Sequence, residues 1–190
     1  MTMPTRTHLA IDGATPVRSK PFPTWPVVEE ADEASVLAVL RSGRWGARLG
    51  EGYGVAFTDR LASFQNARRA VATANGTVAL EVALKAVGVQ PLDEVIVPAY
   101  TFLATATAVT ALGAIPIFAD INPSTYTLDP ASAAQRVTPH TRAIVPVHIA
   151  GQPAEMDGII EVARRHGLHV IEDAAQAIGA SWQGRGAGSI

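Results

Sequence analysis

Two adjacent carboxylates, Glu172 and Asp173, close an apolar run over residues 167–171, Gly-Leu-His-Val-Ile, and Ala174-Ala175-Gln176-Ala177 follows. The run reads as a buried strand, and the small residues after it favour a helix. An acid placed where a parallel strand stops lies at the crevice in which open α/β sheets hold their ligands. Asp173 is costly to bury there unless something cationic meets it. One partner that fits is the protonated ring nitrogen of pyridoxal phosphate, whose electron-sink chemistry uses an aspartate at that nitrogen. A helix cap or a salt-bridged core acid would fit as well, and this stretch alone leaves both open.

Further positions could serve the same ligand. Asn75-Gly76-Thr77 follows an apolar run and opens a helical pattern. A helix N-terminus offers unpaired N–H groups and a positive dipole end, which suits a phosphate. Asn and Thr are also ordinary helix caps. In Pro98-Ala99-Tyr100-Thr101-Phe102 an aromatic could lie flat on a planar ring or pack into the core. His148 could touch the ligand or satisfy a turn. Gln176, three residues past Asp173, falls one helical turn away on the same side, within reach of a ring substituent. The five histidines (8, 140, 148, 166, 169) form no His-x-x-x-His pair, so no metal site is expected. Gly-x-Ser-x-Gly, the P-loop and Gly-x-Gly-x-x-Gly are absent.

These positions need elements to carry them. Apolar runs at 70–74, 94–97, 115–119, 143–147 and 168–171 alternate with helical patterns at 77–87, 102–112, 130–137 and 154–166. Gly88, Gly113 and Gly167 stand just past three of those helices, as stop residues do. Continuous apolar strands separated by helices predict an α/β fold with a mainly parallel sheet flanked by helices. Upstream, residues 1–26 are expected to be an extended arm, since four prolines between 9 and 26 bar a long regular element, and Phe22 and Trp25 need a surface to cover them. A helix is expected from Glu29 to Leu40, stopped by Ser42-Gly43, and another carries Phe57, Leu61 and Phe64. The glycine-rich stretch 43–54 reads as a mobile or partner-contacting loop. Ser181-Trp182 and the turn 183–186 begin another strand pair, and the pattern then stops at Ile190. That stop suggests an incomplete larger domain over residues 27–190.

The composition agrees with an ordinary globular chain of 190 residues, 48% hydrophobic and 17% charged. A net charge of −2 without charge runs gives no reason to expect nucleic acid or an anionic membrane surface. The absence of cysteine excludes a disulfide framework and thiol catalysis and fits a cytoplasmic protein. Residues 1–8 carry no apolar signal-peptide core, and no apolar run is long enough to span a membrane.

Four segments taken in order are similar to the N-terminal half of the DegT/DnrJ/EryC1/StrS family, sugar aminotransferases that use pyridoxal 5'-phosphate and the type I aminotransferase fold. They are Ala74-Asn75-Gly76-Thr77-Val78-Ala79-Leu80, Asp93-Glu94-Val95-Ile96-Val97-Pro98-Ala99-Tyr100-Thr101-Phe102, Ile144-Val145-Pro146-Val147-His148 with Gly151-Gln152-Pro153-Ala154, and Val170-Ile171-Glu172-Asp173-Ala174-Ala175-Gln176. The resemblance implies that Gly76 and Thr77 hold the phosphate and that Phe102 stacks on the ring. It implies that Asp173 meets the ring nitrogen and Gln176 the ring hydroxyl. It further implies a homodimer that moves an amino group from glutamate or glutamine to a keto-sugar or keto-cyclitol. The arm, through Asp12-Gly13-Ala14-Thr15-Pro16-Val17-Arg18 and Pro23-Thr24-Trp25-Pro26, is similar to members that act on keto-cyclitols or make aminohydroxybenzoate.

One departure matters. In the family the cofactor-bearing lysine follows a Gly-Ser-Leu-Gly-Asp motif, of which Gly188-Ser189-Ile190 alone is present, and the two lysines, Lys20 and Lys85, sit elsewhere. The 190-residue chain is therefore expected to be an inactive portion of an active parent. A sugar dehydratase of the same family, with histidine replacing lysine, is an alternative. So is a non-catalytic module that binds pyridoxal phosphate or regulates. A nucleotide-dependent oxidoreductase on a similar sheet is disfavoured by the missing glycine fingerprint.

Overall fold

The computed structural model describes residues 9–45 and 52–190. The expectations for residues 1–8, and for 46–51 of the glycine-rich loop, lie outside the described residues. The chain divides into two compact units, residues 1–45 and 46–190.

In the first unit, residues 9–26 hold one short 3-10 turn, Ala10–Asp12, and no other regular element, as the prolines require. Arg18 lies over the Phe22 ring at 4.5 Å, a cation–π contact. Helix α1 spans Glu30–Ser42. Glu29 caps it through a reciprocal capping box with Asp32, and Gly43 ends it at φ 65°. None of its residues is buried, so Val36, Leu37 and Leu40 form an exposed apolar stripe.

The second unit holds the sheet. Strands β1 (Glu94–Pro98), β2 (Ile115–Ala119), β3 (Thr141–Ile144) and β4 (His169–Val170) pair in parallel in the order β2-β1-β3-β4. Helices α3 (Gly76–Ala86), α4 (Ala104–Ala111), α5 (Pro130–Gln135) and α6 (Met156–His166) alternate with them. Because successive strand side chains point to opposite faces, each strand feeds two cores. Val95 and Val97 of β1 join Leu80 and Leu84 of α3 and Ala108 and Val109 of α4. Ile96 and Ile144 instead join Ala133 of α5 and Met156, Ile159 and Val162 of α6. Covering on both faces explains why these strands read as unbroken apolar runs. The fold is α/β with a mainly parallel sheet between two helix layers.

Chain direction sets which ends meet. Helix α3 is followed by a short turn into the start of β1, and α4 leaves the end of β1 and returns to the start of β2. Both helices therefore run against the strands, and both begin at the carboxyl rim of the sheet. Gly88, Gly113 and Gly167, the predicted stops, have φ of 86°, 73° and 66°.

One expected strand is absent. Residues 70–74 are irregular, and Val71 is exposed. Three of the five are alanines, which favour strands weakly, and no described segment forms a ladder with them. Helix α2 (Tyr53–Phe64) confirms the Phe57, Leu61, Phe64 periodicity. The expected turn near the end is a tight hairpin, β5 (Ser181–Trp182) and β6 (Arg185–Gly186), whose loop residues Gln183 and Gly184 both have positive φ. Gln65 docks it, donating to the Ala187 carbonyl at 2.7 Å and accepting from the Gly179 N–H at 3.0 Å. Among the described residues no helix is long and apolar enough to cross a membrane.

Ile144 has no exposed surface and lies in the α5–α6 core, whereas Ile178 is largely exposed. Urea unfolding should show Ile144→Ala losing about 2–5 kcal/mol, and Ile178→Ala changing by about 0.5 kcal/mol or less.

Candidate functional site

At the N-terminus of α3, Asn75 has extended backbone and its Oδ1 accepts the Val78 N–H at 3.0 Å. The cap satisfies one of the orphan donors of the first turn. The N–H groups of Gly76 and Thr77 meet no acceptor among the described residues. A Cβ built on Gly76 would find nothing within 4 Å, so the space ahead of this turn is open. Two free donors, a helix dipole and open space can receive an anion.

The turn from β1 into α4 presents Tyr100 and Phe102, both mostly exposed. The Phe102 carbonyl accepts the Thr105 N–H at 3.1 Å, which fixes the turn beside the first residues of α4. Phe102 is therefore not the core aromatic that its position also allowed.

Asp173 continues the ladder past β4. Its N–H donates to the Pro146 carbonyl at 2.9 Å, and its carbonyl accepts the His148 N–H at 3.0 Å. The side chain is buried, with 9% of the residue exposed. Oδ2 accepts the Thr105 hydroxyl at 2.8 Å, and Oδ1 accepts the Ala175 N–H at 3.3 Å. The Thr105 hydroxyl also meets that of Thr101 at 2.8 Å. Among the described residues no lysine, arginine or histidine pairs with this carboxylate. Asp173 is thus neither a helix cap alone nor a salt-bridged core acid. It is a buried acceptor with lone pairs to spare.

Gln176 lies beyond Asp173, and its Oε1 accepts the Ala150 N–H at 2.7 Å. That bond fixes the amide so that its NH2 is the group left to donate. His148 is fully buried and satisfies the turn. Its Nδ1 accepts the Ala154 N–H at 3.0 Å and its Nε2 meets Glu172 Oε2 at 2.9 Å, which assigns the proton to Nε2. Glu172 also accepts the N–H groups of Gly188 at 2.8 Å and Ile190 at 2.6 Å.

Thr105 therefore ties Asp173 to the turn that carries Phe102, and Gln176 holds Ala150, two residues past the His148 whose N–H meets the Asp173 carbonyl. Gly76 and Thr77 reach the same rim through α3, which packs beside α4 on one face of the sheet. Thr105 and the Glu172–His148 network were not foreseen. Thr101 lies in the turn before α4, so no helical spacing announced its pairing with Thr105. Nothing in sequence separates the tasks of Glu172 and Asp173 except strand alternation.

Known proteins resemble this chain in sequence and fold. The model of the DegT/DnrJ/EryC1/StrS aminotransferase family matches residues 26–190. The chain belongs to this family. It is 43% identical over 188 residues to an L-glutamine:2-deoxy-scyllo-inosose aminotransferase from Streptomyces kanamyceticus, covering 96% of this chain and 44% of that protein. A solved 3-amino-5-hydroxybenzoic acid synthase is 41% identical with TM-score 0.84, over 88% of this chain and 44% of that one. Spr1654 from Streptococcus pneumoniae in its PLP-form is 29% identical with TM-score 0.77, over 87% and 45%. The chain thus spans less than half the length of these members of the DegT/DnrJ/EryC1/StrS family, and the fold it shares with them is that of the type I aminotransferases.

Removing the Glu172 carboxylate leaves the buried His148 donor and two backbone N–H groups without their acceptor. Glu172→Ala should lose about 1–3 kcal/mol in urea unfolding. Hydrogen exchange at Gly188 and Ile190 should accelerate in that variant, while exchange in α3 stays as it was.

Proposed function

We propose that this chain supplies the phosphate, ring-face and ring-nitrogen contacts of a pyridoxal phosphate-dependent aminotransferase. The acceptor is a keto-cyclitol or keto-sugar, and the donor is glutamine or glutamate. The observation that carries the reading is Asp173, a buried carboxylate at the sheet rim without a cationic partner among the described residues. Such a group asks for a cation to complete its surroundings, and the protonated pyridine nitrogen is one.

The other residues fit the same group. Gly76 and Thr77 offer free N–H donors toward open space, suited to a phosphate. Phe102, exposed on the turn before α4, offers a ring face. Gln176, its Oε1 held by the Ala150 N–H, keeps an NH2 that would donate to a ring oxygen. Thr105 holds the Asp173 carboxyl in place by donating to its Oδ2. Pyridoxal phosphate, when bound, supplies an electron sink for charge developing at the substrate carbon.

The activities of the relatives supply the cyclitol or sugar acceptor and the glutamine donor, and the family supplies the glutamate alternative and the homodimer. The exposed Phe22, Trp25, Val36, Leu37 and Leu40 support association, since unpartnered apolar surface of this kind marks an interface. A cytoplasmic location agrees with the lack of cysteine. Lys85 stands in the last turn of α3, at the end away from Gly76, and so cannot serve as an amine at the rim.

The test is a titration of the purified chain with pyridoxal phosphate, followed by tryptophan fluorescence quenching. Losing a hydrogen bond to a charged group is worth about 1.5–3 kcal/mol, so Asp173→Ala should weaken binding about tenfold or more. Thr77→Ala, which keeps the N–H but removes the hydroxyl that would add a further bond to the phosphate, should weaken pyridoxal phosphate but leave pyridoxal, which lacks the phosphate, unaffected. Equal affinity of Asp173→Ala and the unmodified chain would overturn the assignment.

A further inference from the structure

A second concavity opens at the same rim. It measures about 310 Å³ and is lined by Tyr100, Ser124, Thr125, Tyr126, Ile149, Ala150 and Gln152. These come from the three turns that follow β1, β2 and β3, which places the cavity at the crevice end of the sheet. Its volume falls at the low end of the range for small-molecule sites, about 300–1,000 Å³.

Both walls are built before any ligand arrives. The turn 121–128 is closed by an Ile121–Leu128 bridge, by the Asn122 N–H on the Thr127 carbonyl at 2.9 Å, and by the Tyr126 N–H on the Asn122 carbonyl at 2.8 Å. Tyr126 takes φ 60° and Ala150 takes φ 51°, left-handed values that non-glycine residues adopt only when their surroundings hold them there. Both line the cavity. Tyr100 and Tyr126 form a tilted aromatic pair in its wall, with ring centroids 6.0 Å apart and planes at 53°.

The cavity also shares a wall with the proposed cofactor site. The Ala150 N–H is held by the Gln176 side chain, and Tyr100 adjoins Thr101, which bonds Thr105, the partner of Asp173. A molecule seated here lies beside the group that Asp173 and Gln176 hold.

The chemistry of the lining selects the occupant. None of the seven residues carries a charge, so a phosphate or diphosphate finds no cation to pair with. Two aromatic faces, four hydroxyls and the Gln152 carbonyl oxygen remain. A ring with C–H faces and several hydroxyls satisfies both kinds of group. We propose that the Tyr100–Tyr126 cavity is the subsite for the uncharged polyhydroxylated ring of the amino acceptor, with Tyr126 as a specificity-determining residue. The proposal rests on the aminotransferase reading and narrows it: the ring bears no phosphate on the portion that enters this cavity.

The experiment titrates the 190-residue chain with myo-inositol by saturation-transfer NMR, and separately with UDP-glucose as the charged comparison. Millimolar binding of myo-inositol is expected, and Tyr126→Ala should weaken it about fivefold or more. Tyr126→Phe keeps the ring and should lose less, and it covers the case in which the alanine variant fails to fold. Gln152→Ala should weaken myo-inositol further, and inorganic diphosphate should not compete. Absence of myo-inositol binding, unchanged affinity in both Tyr126 variants, or displacement by diphosphate would overturn the proposal. A parallel pyridoxal phosphate titration separates the two readings. Cofactor binding that depends on Asp173, without myo-inositol binding, sinks the subsite alone. Myo-inositol binding that depends on Tyr126, without cofactor binding, sinks the cofactor reading and keeps the subsite.

Discussion

The second unit is organised around one buried carboxylate. Asp173 gives its backbone to the parallel ladder and its side chain to the start of α4, so two layers of the fold meet on a single residue. Burial of an unpaired anion is tolerated only where polar groups replace water. Here a threonine hydroxyl and one long N–H contact replace part of it. The remainder of the demand faces the rim. Sheet and helices are rigid enough to maintain that incomplete arrangement, since both faces of β1 and β3 are packed with fully buried side chains.

Two neighbouring acids divide into two tasks because strand residues alternate in direction. Asp173 turns toward α4 and is left short of partners. Glu172 turns the other way and is saturated: His148, Gly188 and Ile190 all donate to it. A saturated carboxylate holds structure, and an unsaturated one is available to a ligand. The buried His148 completes the division. Its imidazole links Glu172 to the Ala154 backbone, and its own N–H rests on Asp173, so the turn after β3 and the end of β4 move as one piece.

Much of this could be read from the sequence, for stated reasons. Runs of Val, Ile and Ala with glycine stops gave the four strands and their helices, because a sheet covered on both faces must be apolar on both. Asp173 and Phe102 were singled out by their position after strands, where α/β sheets place ligands, Gly76 and Thr77 by opening a helix, and Gln176 by its spacing from Asp173, although residues 174–180 form turns and no helix. Residues 70–74 misled, because an apolar run becomes a strand only beside a partner strand, and sequence does not state the partner. Thr105 escaped notice because a threonine within a helix is usually unremarkable; it matters only through contact with a residue 68 positions away. The cavity lined by Tyr100 and Tyr126 was equally hidden, as its wall includes the left-handed turn at Tyr126, which no composition signal announces.

The charge order of the rim argues for one kind of ligand over others. The open first turn of α3 ends a helix dipole and attracts an anion. Asp173, on the same face of the sheet, attracts a cation. A simple anion would satisfy the helix and be repelled by the carboxylate, whereas a metal ion would meet one carboxylate and the positive end of a helix. A ligand that met both demands would carry negative charge at one end and positive charge at the other. The adjoining neutral cavity then has a complementary part to play, because a site already neutralised by a dipolar ligand has no further need of charge and can select its second occupant by hydroxyls and ring faces.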